Sequence, residues 1–203
     1  EPEFDPAGNT SAAAQSQQFG DNTDGMSLFP VDENRALLAV NNEYINAGYM
    51  FAHKGEAMTA ADVQTSQAAH GVSIFEIVRD GNSWKVDRSG LRNRRITANT
   101  PMQITGPAAG HARMKTDADP SGGLVLGTIN NCANGETPWG TYLTCEENFH
   151  SYFGTGGDKE ADVSDEMKRY GVKAKNRRYD WTMFDERFNI KQNPNEPNRF
   201  GWV

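Results

Sequence analysis

Thr144-Cys145-Glu146-Glu147 sets one thiol beside two carboxylates, the densest set of chemically active side chains in the chain. Sulfur together with hard oxygen donors suits a transition metal. In a regular strand Cys145 and Glu147 share one face and Glu146 takes the other. A bulge at a strand end can bring such neighbours to one ion, so spacing leaves the choice between the two glutamates open. Glu43, in Asn41-Asn42-Glu43-Tyr44, offers a further carboxylate where an apolar run turns polar. The competing reading is a buried thiol with two solvated acids at a strand exit, since neither CxxC nor HExxH spacing occurs. Asn41-Asn42 and Asn130-Asn131 are amide pairs that fit either calcium ligation or turns. Asp117, Asp119 and Asp158 sit in Gly-rich loops without EF-hand spacing. The four histidines, His53, His70, His111 and His150, are too scattered for a His-rich zinc site. The knots Arg92, Arg94, Arg95 and Arg177-Arg178 could grip phosphate oxygens, or pair with the many acids. Neither a G-x-S-x-G elbow nor a G-x-x-x-x-G-K phosphate loop is present.

The elements that must position these groups read mostly as strands. Ala36–Tyr44 is a buried strand running out into a polar end, and Val72–Arg79 alternates with period 2. Asp80-Gly81 turns the chain into Ser83–Asp87, a hairpin. Between the first two strands, Thr59–His70 reads as a short helix, with Thr59 and Asp62 as a capping box and Gly71 as the stop. Ser27–Asp87 is therefore expected to be one four-stranded antiparallel unit. Further on, Leu124–Ile129 reads as a strand, Asn130–Pro138 as a loop and Trp139–Glu147 as a second strand turning polar. Residues 148–198 read as a long polar excursion with a helix near Asp162–Tyr170, and Phe200–Val203 as the start of another strand. Aligning Asn42 with Cys145 sets Glu43 against Glu146, and the two carboxylates are then expected to face one central region. Four strands per repeat is the pattern of a β-propeller blade. The expected layout is an irregular lead-in over 1–25 and an incomplete propeller over 26–203. Its blade-like unit is 26–100; a second unit, 101–203, carries the 148–198 insertion.

Composition limits the alternatives. The chain has 203 residues, a net charge of −7 and no basic excess, which argues against a general nucleic-acid surface. No apolar run reaches the ~18 residues of a membrane span. The chain opens without a basic, apolar signal segment. The 20 glycines and 9 prolines favour a turn-rich β fold over a helical bundle. Two cysteines, Cys132 and Cys145, cannot staple a miniprotein.

The stretch ITGPAAGHARMKTDADPSGGLVLGTINNCANGETPWGTYLTCEENFHSYF, from Ile104 to Phe153, strongly resembles the PhoX family of bacterial alkaline phosphatases. QQFGDNTDGMSLFP, LLAVNNEYIN and PNEPNRFGWV resemble it too, so the likeness runs from about Gln17 to the last residue. One departure is Asn42, in NNEY, where the family has a histidine. The resemblance implies a mainly β chain forming about two blades of a six-bladed β-propeller with short helical insertions, an N-terminal fragment of a longer, monomeric enzyme. It implies hydrolysis of phosphomonoesters with iron (Fe3+) and calcium at the propeller axis, and export through the twin-arginine route to the periplasm or beyond. It carries an iron ligand onto Cys145 and a metal ligand onto Glu146, with Glu147 and Glu43 as weaker ligand assignments. Cys145 is then expected to be a free thiol, and Cys132 a packing residue. The alternatives are a propeller that has lost its chemistry and serves as a binding module, favoured by Asn42, or a fragment inactive by itself.

Overall fold

The computed structural model describes residues 2–158 and 161–203; Glu1 of the expected lead-in and Lys159 and Glu160 of the expected insertion lie outside the described residues. A short helix α1 (Ala12–Gln15) precedes strand β1 (Thr23–Asp32), so order begins well before Met26. β1, β2 (Arg35–Asn42), β3 (Gly71–Asp80) and β4 (Ser83–Val86) follow one another across an antiparallel sheet. This is the four-stranded unit expected from the period-2 pattern. Pro30 sits in β1, the edge strand, where a missing N–H breaks no inner ladder. Asp80 and Ser83 pair across the turn at Gly81, whose φ is +62°.

β3 is longer than its partner. β4 pairs its Ile77–Asp80 half, and β5 (Arg94–Ile96) pairs Val72–Ile74. The buried Glu76 fills the gap between them. Its carboxylate binds Arg35 and accepts from the Arg92 amide at 3.0 Å, which holds the intervening loop.

Helix α2 (Ala47–Met50) and helix α3 (Ala60–Ala69) fill the β2–β3 connection. The capping box of α3 is present as expected, with the Thr59 amide donating to Asp62 at 2.8 Å. At Gly71 φ is +98°, and a Cβ would stand 2.2 Å from the Ile96 carbonyl oxygen; only glycine allows this close exit from the helix into β3.

Two smaller antiparallel pairs follow: β6 (Pro101–Gln103) with β7 (Leu124–Leu126), and β8 (Asn131–Glu136) with β9 (Tyr142–Glu146). Here the structure corrects two expectations. Residues 131–136, read as loop because Asn and Gly are poor strand formers, are a strand. Side-chain bonds to the first sheet, described below, override that weak propensity. Conversely, Phe200–Val203 joins no sheet. The Glu146 side chain takes the Gly201 amide at 2.7 Å, occupying a donor that a ladder would use.

The 148–198 segment is not a polar excursion. It carries α4 (Asp165–Arg169) and α5 (Trp181–Phe184), and it delivers Tyr152, Phe153, Trp181 and Phe188 fully buried into the core. Their rings pack with Phe200 and against Val63 and Ala69 of α3. No helix is long and apolar enough to cross a membrane among the described residues.

Candidate metal centre

The first sheet and the β8–β9 pair meet along a polar seam centred on Asn41, which is fully buried. Its Nδ2 donates to the carbonyls of Cys132 (2.8 Å) and Ala133 (3.2 Å). Its Oδ1 accepts from the Tyr142 hydroxyl and the Thr144 hydroxyl, both at 2.9 Å. All four hydrogen-bonding positions of the amide are thereby satisfied, which is what allows its burial. Asn134 donates to the Ser27 hydroxyl at 2.7 Å further along the seam. Gly25 makes the approach feasible, since a Cβ there would lie 2.7 Å from the Cys132 carbonyl oxygen.

Both hairpins at this seam carry the same irregularity. In β1–β2, Thr23 faces Asn42 and Met26 faces Val40, so Asp24 and Gly25 together oppose Asn41. In β8–β9, Asn131 faces Glu146 and Asn134 faces Thr144, so Cys132 and Ala133 together oppose Cys145. Each is a β-bulge, which re-aims the side chain it carries. The residue after each second strand is tied back in the same way. The Glu43 amide donates to the Asn22 carbonyl and the Glu147 amide to the Asn130 carbonyl, each at 3.0 Å. Asn22 and Asn130 both have positive φ, +41° and +52°. Asp24 thus corresponds to Cys132, and Glu43 to Glu147. The internal repeat is real at backbone level, but its register differs by one residue from the sequence alignment that matched Glu43 with Glu146.

These matched positions converge. Ligand atoms of Asp24, Glu43 and Cys132 lie within 4.8 Å of one another, and the Cys132 thiol donates to Asp24 at 3.0 Å. Hydrogen bonding to Asp24 and Glu147, more than burial, pushes the Cys132 thiol up to about 12. Burial raises the Glu43 carboxyl, and the charges of Asp24 and Glu147 raise it further. Asn130 Nδ2 reaches Glu43 Oε1 at 3.4 Å while its Oδ1 accepts from the Asn148 amide at 2.6 Å. A thiol and carboxylates crowded in this way are a donor set whose mutual repulsion a cation would relieve. Three carboxylates with one thiol fit a transition metal, and the oxygen donors also suit calcium.

Of the residues singled out from sequence, Glu43 lies in the Asp24–Glu43–Cys132 group, and Glu147 borders it, acting on the Cys132 thiol and by its charge on Glu43. Cys145 belongs to no such group among the described residues. The Glu146 carboxylate is turned away onto Ile129 N (2.9 Å), the Thr128 hydroxyl (3.0 Å) and Gly201 N (2.7 Å), clasping two loops. Sequence reasoning missed Asp24 and Cys132. The available signals were the Asp24-Gly25 pair inside a strand, a common mark of a bulge, and the lone thiol flanked by asparagines. Both cysteines are free thiols.

An antiparallel β scaffold whose bulged hairpins gather two carboxylates and a thiol, with a third carboxylate beside them, defines a candidate metalloprotein. The family model for alkaline phosphatase PhoX matches residues 1–203, and the chain belongs to that family. It is also similar to a solved structure, Pseudomonas fluorescens PhoX in complex with vanadate, a transition state analogue, with 53% identity and a TM-score of 0.95. That match covers 100% of this chain and 35% of the other, so the chain spans about a third of its relative's length. Among curated proteins none matches.

Proposed function

We propose that the protein containing this chain is a metal-dependent phosphomonoester hydrolase whose metal ligands include Asp24, Glu43, Cys132 and Glu147. The observation that carries this reading is the convergence of Asp24, Glu43 and Cys132, with Glu147 bordering them, in a chain of this family. The 53% identical relative binds vanadate, an analogue of the transferring phosphoryl group, which supports a phosphate ester as substrate. Iron is assigned to the thiolate side and calcium to all-oxygen positions by ligand preference. When bound, such ions supply positive charge that polarises and neutralises the phosphoryl oxygens. The chain's own contribution is positional: the two bulges and the Asn41 seam fix the four side chains, and Asn130 orients Glu43. The five strands around β3 and the repeated hairpin support a place in a six-bladed propeller with the centre near its axis. Export to the periplasm and a monomeric parent complete the reading by family.

The buried Asn42 side chain accepts from the Ser73 hydroxyl at 2.6 Å and Arg95 at 3.2 Å, so its hydrogen bonds serve the first sheet. In the full-length protein, Cys132→Ala should lower iron content and hydrolysis of an aryl phosphate together, while Cys145→Ala retains both. Loss of iron on Cys145→Ala alone would reverse the assignment.

A further inference from the structure

Arg178 is a half-buried cation that makes no salt bridge to a carboxylate among the described residues; it donates to the Ser151 hydroxyl at 3.3 Å, hydrogen-bonds Tyr179 and feels the charge of Glu43. The acid beside it in sequence, Asp180, pairs with Arg177 at 2.9 Å instead. Other arginines singled out from the sequence are spent on the fold. Arg92 lies against Glu76, and Arg95 donates to five acceptors, including the carbonyls of Gln18, Ala68 and His70.

The Arg178 guanidinium is instead held by rings. Its central carbon is 5.4 Å from the Tyr44 ring, 4.9 Å from Tyr152 and 5.4 Å from Tyr179. Two of these walls are fixed from behind. The Tyr152 hydroxyl meets His70 Nε2 at 2.8 Å, and His70 Nδ1 meets the Ser66 carbonyl at 2.7 Å. The Tyr179 hydroxyl donates to the Ile45 carbonyl at 2.7 Å. The backbone just beyond Arg178 is strained, with φ of +54° at Tyr179 and +57° at Asp180, neither of them glycine. Strain of this kind persists where the surroundings over-determine it, and it concentrates at working sites. Tyr44 follows Glu43 directly, so the cage borders the metal centre.

A planar guanidinium, fixed by aromatic faces and left with unused N–H donors, matches the paired oxygens of a phosphoryl group. We propose that Arg178 binds the phosphoryl oxygens of the substrate at the edge of the Asp24–Glu43–Cys132–Glu147 centre. This assignment rests on the hydrolase reading above and adds the residue that holds the anion.

The test uses the full-length, metal-loaded protein and its Arg178→Gln and Arg178→Lys variants. Inorganic phosphate binding is measured by calorimetry and aryl phosphate hydrolysis by steady-state kinetics, with metal content determined for each sample. The expected result for Arg178→Gln is phosphate affinity and kcat/KM each lower by about 10- to 100-fold at unchanged metal content. Arg178→Lys, which keeps the charge but not the fork, should recover part of the loss. Unchanged phosphate affinity in metal-loaded Arg178→Gln would overturn the proposal, as would a loss fully explained by missing metal. A wild-type protein that binds phosphate through Arg178 yet hydrolyses no phosphomonoester would support Arg178 and sink the hydrolase reading instead.

Discussion

Glu146 and Glu147 are neighbours with opposite fates, and the difference lies in which groups each carboxylate meets. Glu147 faces a thiol and another acid, while Glu146 faces backbone amides and a hydroxyl. Burial raises the Glu146 carboxyl, and the amides of Ile129 and Gly201 oppose that rise. Glu146→Gln replaces an acceptor oxygen by an amide donor that confronts other donors. It should cost about 1–3 kcal/mol of stability and leave metal content intact. Thermal unfolding and elemental analysis of the same samples check this; metal loss at unchanged stability would return Glu146 to the ligand set. The acids were legible in the sequence as a cluster. Their division of labour was not, because it depends on the bulge opposite Cys145, where two residues of β8 face one of β9. Periodicity cannot reveal such an extra residue on the partner strand.

At the level of elements, the hairpin β3–β4, the capped helix α3 and the edge strand with Pro30 were all readable, since each is specified by local chemistry. β8 was hidden because its stability comes from Asn41 and Ser27, residues about a hundred positions away in sequence. The same long-range dependence makes Gly25 a test of how the seam positions the centre. Gly25→Ala would drive a methyl group into Asn134 Oδ1 and the Cys132 carbonyl, 2.6 and 2.7 Å from the added carbon. The strands must separate, and Asp24 and Cys132 move apart with them. The expected outcome is weaker metal retention during dialysis against a chelator, with the far-UV circular dichroism of the sheets preserved. Retention equal to wild type would show that the bulges tolerate the shift.

The molecule as a whole is tied together at its aromatic centre, where 148–198 folds back over α3 and closes on His70. This residue is fully buried, and burial, with help from Arg178 and Arg95, lowers its pKa to about 3. An unfolded histidine binds a proton near pH 6.5, so between pH 6.5 and 3 the unfolded chain takes up a proton that the folded chain refuses. Stability should therefore be fully retained above pH 6.5 and fall as pH drops through that window. Asp119, held down to about 2 first by the Ser121 hydroxyl and the Leu124 amide, adds a loss of the same sign at lower pH. Urea unfolding midpoints from pH 7 to pH 4 should decline, and His70→Gln, though less stable at pH 7, should show a shallower decline. An equal slope in both proteins would remove His70 as the cause. This packing was invisible in a segment rich in Lys, Asp and Asn, because its few aromatic residues carry the burial while the rest stay at the surface.

The correspondence of the two bulged hairpins bears on ion selectivity. Their outer acids are identical, Glu43 and Glu147, and their backbone ties are the same. The bulge position alone differs, with oxygen from Asp24 on one side and sulfur from Cys132 on the other. In the proposed metal site, hard and soft character is thus divided between two half-sites of otherwise common design, which would concentrate preference between cations in a single pair of side chains.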